Sequence, residues 1–381
     1  MPWEYKTVRA QREEFVLAAQ RGGNFSALCR AFGISRKTGY KWVRRDQNGE
    51  TLDDRSRRPK RVSARTPEEM VRKILELRAE NPGWGALKIK NVLEKAGEEG
   101  IPCVRTVNNI LHRHGCIAPE ESRKRQAFRR FERAGCNELW QTDFKGEFRT
   151  RDGRYCYPLN ILDDHSRFAI RVAASVSTAQ VVIPVFESAF EEYGLPWAVL
   201  SDHGAQFAGF CGGYTQFEKR LMDLDILPIH GRVAHPQTQG KIERFHRSMK
   251  DELLEHHEFA DVAEANKQFQ LWRDKYNRVR PHAALGLRCP GEVYVPSERR
   301  LPKRIAPFEY GGQFHVIKVN TWGYVRFAGF QVYLSETMRG ERIEFRPDQK
   351  GEVFFAWYRN FKIAAFSTET GSLVNRHITR L

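Results

Sequence analysis

The 381-residue sequence predicts a multidomain α/β protein, with tandem N-terminal helix-turn-helix domains, a central mixed α/β domain and a small C-terminal antiparallel β-barrel. Three observations lead there. Two patterns of polar cap, apolar helix, turn and basic helix occupy the first 118 residues. Strand-like alternation interleaved with helical periodicity fills residues 136–290. Short, turn-bounded apolar segments then recur at regular spacing from about residue 305 to 371. The expected division is a helix-turn-helix domain at 1–50, a basic linker at 51–65, a second helix-turn-helix domain at 66–118, a basic linker helix at 119–135, the α/β domain at 136–290 and the barrel at 300–381.

AQREEFVLAAQRG gives the first amphipathic helix. NFSALCRAFGI begins a second, with Asn24 or Ser26 as its N-cap, and Gly33-Ile34-Ser35 leads into the basic, aromatic helix RKTGYKWVRR. Two helices joined by a short glycine-containing turn suit a recognition helix in the DNA major groove. Lys37, Thr38, Tyr40, Lys41 and Arg44 are its candidate DNA-facing residues. The alternative is a three-helix bundle with a solvated basic face. DDRSRRPKRVSAR follows as an extended basic linker suited to lie along phosphates.

The second unit opens at Thr66-Pro67-Glu68-Glu69, with Thr66 as the expected cap and Pro67 at the first helical position. VRKILELRAE continues that helix, NPGWGALKIKNVLEKAG supplies a turn and a second, and a third starts near Thr106. Arg105, Asn108, Asn109, Arg113 and His114 are the candidate contacts. SRKRQAFRRFERAG reads as a basic helix tracking DNA, or as a solvated spacer.

In the α/β domain LWQTDF, RYCYPLNIL and FAIRVAAS read as three strands joined by turns, and TAQVVIPVFESAFEEYG as a helix with Pro184 near its start. LPWAVLSDHG is a buried strand ending at Asp202, ILPIH another, and GKIERFHRSMKDELLEH a strongly amphipathic helix. FHVIKV, GYVRFAG, FQVYLS, ERIEFRP, GEVFFAWYR and FKIAAFS are the expected barrel strands.

A net charge of +16 favours a polyanionic partner. No apolar run approaches the roughly 20 residues of a spanning helix, and the charged N-terminus is unlike a secretory signal, so a cytoplasmic, nucleoid-associated protein is expected. The seven cysteines are scattered without a CxxC pair. Cys103, His112, His114 and Cys116 match none of the common zinc spacings, and Cys103 reads as core.

Three acids stand out: Asp143 in WQTDF, Asp202 in VLSDHGAQF and Glu243 in QGKIERFH, separated by 59 and 41 residues. Carboxylates converging from distant segments suit a pair of hard divalent cations. Two such ions about 4 Å apart clamp the attacking and leaving oxygens of a phosphodiester displacement. Asp202 ends an apolar strand, where ligand sites gather in open α/β sheets. Glu243 shares a helix face with Arg247 and Lys250, and Lys241 and Arg244 flank it, giving further candidate DNA contacts. Each acid also has a structural alternative: a strand-edge acid for Asp143, a cap or Asx-turn for Asp202, an i,i+4 pair with Arg247 for Glu243. Asp163 and Asp164 are rivals, in a turn context that favours a structural role.

The ordered set WQTDF, YPLNILDDHSR, SDHGAQF and HPQTQGKIERFHRSMKDEL, followed by YNRVRPHAALG, resembles the integrase core of bacterial insertion-sequence DDE transposases, relatives of retroviral integrases. With the helix-turn-helix pair, the resemblance extends over about residues 10–290. It implies a ribonuclease-H-like fold and a metal-bound catalytic triad of Asp143, Asp202 and Glu243. His203, Ala205-Gln206 and His246 depart from the residues common at those positions.

The expected function is therefore binding of the terminal inverted repeats of a mobile element, with DNA cleavage and strand transfer dependent on two Mg²⁺ ions, for which Mn²⁺ substitutes. The expected partners are double-stranded DNA, as element ends and target, and further copies of the chain in a dimer or higher assembly, with no membrane. The rivals are a sequence-specific DNA-binding regulator with an inactive core, which both helix-turn-helix units would serve equally well, and a plain nuclease.

Overall fold

The computed structural model describes residues 7–55, 66–117, 132–209, 213–231, 240–375 and 377–380. Most of the expected linker at 51–65, the basic run before residue 132, part of the FAGFCGGYTQF stretch and the HPQTQ segment lie outside them. The chain divides into two compact units, Met1–Arg65 and Thr66–Leu381.

The first unit is three helices, α1 (Val8–Gln20), α2 (Phe25–Ala31) and α3 (Arg36–Gln47). Each starts on a polar cap. Thr7 accepts from Ala10 N, Asn24 from Ser26 N and Ala27 N, and Ser35 from Thr38 N. Phe15, Val16, Cys29, Trp42 and Leu52 make the core.

The second unit begins with α4 (Glu68–Glu80), α5 (Ala86–Lys95) and α6 (Val104–Arg113) around Ile74, Trp84, Ile89, Val107, Ile110 and Leu111. Two expected starts move. Pro67 occupies the cap of α4, with no side-chain cap bond, because its carbonyl already accepts from Val71 N. Helix α6 starts two residues before Thr106, with Cys103 at its cap; that cysteine is exposed and not core.

The central sheet contains β1 (Trp140–Phe144), β2 (Phe148–Arg149), β3 (Tyr155–Asp163), β4 (Ala169–Ser175), β5 (Ala198–Ser201) and β6 (Leu227–His230). Strand β1 lies between β3, antiparallel, and β5, parallel; β6 continues the parallel side, while β4 and the short β2 pair with β3. Helices α7 (Val182–Tyr193) and α8 (Gln216–Asp223) join one apolar core with Trp140, Leu159, Ile161 and Val199. Helices α9 (Gly240–Met249) and α10 (Val262–Arg278) join a second with Leu162, Ala169 and Val172. Strand alternation sends successive β3 residues to the two cores. Helix α9 runs into a π-helical turn at Lys250–Leu254.

All six expected C-terminal strands form: β7 (His315–Lys318), β8 (Tyr324–Phe327), β9 (Phe330–Tyr333), β10 (Arg342–Pro347), β11 (Val353–Tyr358) and β12 (Phe361–Ser367). Two more, β13 (Ser372–Asn375) and β14 (Thr379–Arg380), follow. The expected barrel does not close. The sheet runs β13-β12-β11-β10-β7, with β14 also on β12, and β8-β9 is a separate two-stranded sheet. The end strands of that sheet, β7 and β13, do not pair with each other, and Ala328 (φ 49°) and Gly329 (φ 81°) form the tight hairpin turn that joins β8 to β9. This region packs onto α8: Tyr214 and Met222 enter its core, Tyr214 Oη donates to Ile363 O (2.6 Å), and Lys219 pairs with Glu341 (2.9 Å). Among the described residues no helix is long and apolar enough to cross a membrane.

Candidate active site

Strand β1 carries Asp143 opposite Asn160 of β3, and in an antiparallel pair opposed side chains share a face. Asp202 follows the last residue of β5, next in the sheet. Glu243 is exposed in the first turn of α9. These three are electrostatically coupled. The Asp143 carboxyl is pushed up to about 7, first by burial, then by the charge of Asp202, with Glu243 adding in the same direction. The Phe144 N–H and Lys145 oppose the shift. A half-buried carboxyl flanked by two more is a site short of positive charge.

His246 lies one turn beyond Glu243, packed against Asp143. Asn160 Nδ2 donates to His246 Nε2 (3.0 Å) and to Pro158 O (3.3 Å). An amide nitrogen only donates, so Nε2 accepts and the ring proton sits on Nδ1, which faces Asp143 Oδ2 at 3.7 Å. Burial, with Lys145 nearby, pushes the His246 pKa down to about 3, so the ring is neutral. Asn160 Oδ1 is a buried acceptor without a hydrogen-bond partner among the described residues.

Asp202 sits in a turn made by its own side chain, Oδ1 accepting from Gly204 N (2.9 Å). A Cβ at Gly204 would fall 2.4 Å from the Gln206 amide, so a larger residue there would displace that side chain. Beneath this turn Ser201 Oγ donates to Asp202 O (3.1 Å) and stands 3.1 Å from His230 Nδ1. His230 is the register partner of Ser201 on β6, and its Nε2 lies 2.9 Å from Glu218 Oε1 on α8. Glu218 Oε2 in turn accepts from the backbones of Thr215 and Gly209. The loop holding Asp202 is thereby tied to the start of α8.

A cleft of about 420 Å³ opens beside Glu243, lined by Lys145, Gly146, His246, Arg247, Lys250 and Asp251. Its basic residues suit a phosphodiester. Lys145 and Asn160 were not among the sequence candidates. Lys145 follows Asp143 by two residues, just past the end of β1, and the strand pattern did not mark it. Asn160 needed the β1–β3 register.

Among the described residues, no three His, Cys, Asp or Glu side chains already stand at ligand spacing. The donors around Asp143 are carboxylate oxygens, the chemistry hard divalent ions take, and their mutual repulsion is what such an ion relieves.

Asp163 and Asp164 are fully buried and bonded. Asp163 accepts from Asn137 N, Ser166 N and Ser166 Oγ. Asp164 accepts from Arg133 N, Gln141 Nε2 and Lys241 Nζ, the last at 2.5 Å. Lys241 thereby ties the start of α9 to Asp164, just past the end of β3. Arg244, Arg247 and Lys250 are exposed, Lys250 pairing with Glu255 (3.3 Å).

In the first unit Lys37, Tyr40, Lys41 and Arg44 are exposed on α3, with Tyr40 stacked on Phe25 at 4.3 Å. Thr38 is half-buried, its Oγ1 2.9 Å from the Ser35 hydroxyl. On α6 Arg105, Asn108, Asn109 and Arg113 are exposed, as is His114 at its end.

Four family models match. Two describe an integrase core domain, over residues 133–236 and 224–290. One describes a helix-turn-helix domain, over 11–60, and one a homeodomain-like domain, over 38–111. The chain is 25% identical over 271 residues to a 31.7 kDa protein of insertion element IS407 from Burkholderia multivorans, covering 69% of this chain and 88% of that one. It is 22% identical over 377 residues to a transposase for an IS21-like insertion sequence element from Bacteroides fragilis, covering 94% and 69%. Among solved structures, the simian T-cell lymphotropic virus intasome in complex with a PP2A regulatory subunit aligns with a TM-score of 0.38 and 14% identity, over 74% of this chain and 91% of that one.

Proposed function

We infer that this chain, a transposase of the insertion-element kind with an integrase core behind helix-turn-helix DNA-binding domains, cleaves element-end DNA and joins it to target DNA at Asp143, Asp202 and Glu243. The observation that carries this reading is the coupling of the three acids: Asp143 is held near a pKa of 7 by burial and by the charges of Asp202 and Glu243. Glu243 borders a cleft also lined by Lys145, Arg247 and Lys250.

Asp143, Asp202 and Glu243 would hold the divalent ions, Mg²⁺ or Mn²⁺. When bound, such ions supply Lewis acidity at the scissile phosphate and lower the pKa of an attacking water or 3′-hydroxyl. The chain's own work is positioning and charge. His246 Nδ1–H faces Asp143 at 3.7 Å, a neutral group packed against that acid. The Ser201–His230–Glu218 chain fixes the Asp202 turn. Lys145, Arg247 and Lys250 neutralise phosphodiester oxygens next to the acids. Water attack nicks the element end and leaves a 3′-hydroxyl; that hydroxyl then attacks a target phosphodiester and expels a 3′-oxygen. Fixed donors and cations account for catalysis without a covalent enzyme intermediate. Lys37, Thr38, Tyr40, Lys41 and Arg44, then Arg105, Asn108, Asn109 and Arg113, are the proposed DNA readers, on duplex ends brought together by two or more copies of the chain.

The test is a strand-transfer assay with duplexes copied from the inverted repeats flanking the reading frame and a supercoiled plasmid target. Joined products in Mg²⁺ are expected. Nicking without joining would mean a nuclease, and binding without nicking a DNA-binding regulator.

A further inference from the structure

Two of the three acids sit two residues from side chains that meet at one buried carboxylate. Gln141 precedes Asp143 by two residues on β1, so both side chains leave the same face of the strand. Lys241 precedes Glu243 by two residues in the first turn of α9. Asp164, fully buried just past the end of β3, receives both. Gln141 Nε2 donates to its Oδ1 (2.7 Å), and Lys241 Nζ donates to its Oδ2 (2.5 Å) and to its main-chain oxygen (3.0 Å). Oδ2 also accepts from Arg133 N (2.9 Å), and Asp164 N donates to Leu139 O (2.9 Å), at the entry to β1.

The neighbours of this carboxylate keep it in place. Asp163 closes the turn after β3, accepting from Ser166 N (2.8 Å) and Ser166 Oγ (2.6 Å), and its other oxygen takes Asn137 N (2.8 Å). A buried charge is costly unless paired and hydrogen-bonded, and both Asp164 oxygens are so engaged. Gln141 is 1% exposed, and its Oε1 has no hydrogen-bond partner among the described residues. An amide buried that way carries a desolvation cost that a leucine would not. It contributes the bond to Asp164 that a leucine lacks. On the helix side Ile242 is fully buried while Glu243 is exposed, so the bond from Lys241 to Asp164 sets how far the first turn of α9 stands from β1.

We infer that Asp164 is a positioning residue for the metal site: bonded to Gln141 on the strand of Asp143 and to Lys241 on the helix of Glu243, it sets the separation of those two acids. The inference rests on the proposed role of the acids as metal ligands, and it gives Lys241 a role other than phosphate contact. Carboxylates on separate elements hold a hard divalent ion only over a narrow span, since Mg²⁺ demands near-octahedral oxygens at about 2.0–2.1 Å. Asp164 touches neither substrate nor ion. Its effect reaches the site through the backbones of β1 and α9. The side chain suits this work because it is short and its bonds run in three directions, to β1, to α9 and to the segment at Arg133 that leads into β1.

The test uses the full chain, at a temperature where circular dichroism shows each variant folded. Mn²⁺ binding is followed by electron paramagnetic resonance without DNA. Affinity for a fluorescein-labelled random-sequence duplex is measured without divalent ions over a series of NaCl concentrations. Lys241→Met and Gln141→Leu should each weaken Mn²⁺ binding about tenfold. The double variant should be no weaker than the worse single one, because breaking the brace at either end releases it. Lys241→Arg, which still pairs with a carboxylate, should recover part of the loss. The salt slope should keep its wild-type value in every variant. Wild-type Mn²⁺ affinity in either folded single variant, or additive losses in the double, overturns the inference. A slope lowered by about 0.9 in Lys241→Met with Mn²⁺ affinity intact would make Lys241 a phosphate contact and also overturn it. If Lys241→Met does not fold, Gln141→Leu decides, since it exchanges a buried amide for an apolar side chain of similar size. A wild-type protein that binds no Mn²⁺, or an Asp143→Asn protein that binds it as wild type does, would overturn the catalytic reading and this inference with it, so the two failures are told apart.

Discussion

His246 Nδ1 stands 3.7 Å from Asp143 Oδ2, its proton fixed there because Asn160 Nδ2 donates to the opposite ring nitrogen at 3.0 Å. The ring N–H faces half-buried Asp143 from beyond hydrogen-bond distance and, being neutral, leaves that carboxylate's charge in place. His246→Leu should weaken divalent-ion binding by about 10–100-fold, the usual cost of losing such a supporting group. His246→Asn, which keeps an N–H donor, should recover part of the loss. Mn²⁺ titration followed by electron paramagnetic resonance reads this without catalysis; equal affinities in wild type and His246→Leu would refute it.

The raised pKa of Asp143 gives a pH dependence with a definite sign. Its folded value, about 7, lies above the ordinary 3.8, so without metal the folded state keeps a proton that the unfolded state releases. That contribution to stability is present at low pH and is lost as pH rises from 3.8 through 7. Metal must displace the same proton. Apparent divalent affinity should therefore rise with pH below about 7, at a slope of about one proton per site, and flatten above it. Isothermal titration in buffers of different protonation enthalpy counts the proton.

Ser201, His230 and Glu218 link the turn of Asp202 to α8. His230→Ala and Glu218→Gln should lower cleavage turnover about tenfold or more while leaving duplex affinity at its wild-type value. Loss of DNA binding in parallel with turnover would mean general damage rather than a misplaced Asp202.

Glu252 and Arg280 form a largely buried pair, with side chains 9% and 11% exposed. Glu252→Ala leaves the buried Arg280 guanidinium without its carboxylate and should cost about 3–5 kcal/mol of stability. Arg280→Met combined with Glu252→Met should cost less than either single change. Denaturant melts of the four proteins give the cycle.

The sequence was most legible where local chemistry decides. The caps at Asn24 and Ser35, the buried strand leading to Asp202 and the amphipathic helix carrying Glu243 follow from short-range patterns, and each forms, the strand stopping at Ser201, one residue before the acid. Misreadings arose where partners are distant in sequence. The bond from Lys241 to Asp164, just past the end of β3, had no signal in the spacing of either segment. Six alternating strands suggested a closed barrel, but closure depends on pairings between first and last strands that alternation does not encode. Helix α10 was not expected, although VAEANKQFQLWRDKYNR has helical spacing and its Phe269, Trp272 and Tyr276 are core. The Glu218–His230 link had no local signal at all.

The most direct test is end-DNA cleavage by Asp143→Asn, Asp202→Asn and Glu243→Gln proteins in Mg²⁺ and in Mn²⁺, each variant first shown to bind duplex DNA as wild type does. Each single amide should abolish both nicking and strand transfer with either ion while leaving DNA binding intact. Cleavage and joining at wild-type rates by any one of them would contradict the assignment of these acids as one metal-dependent site.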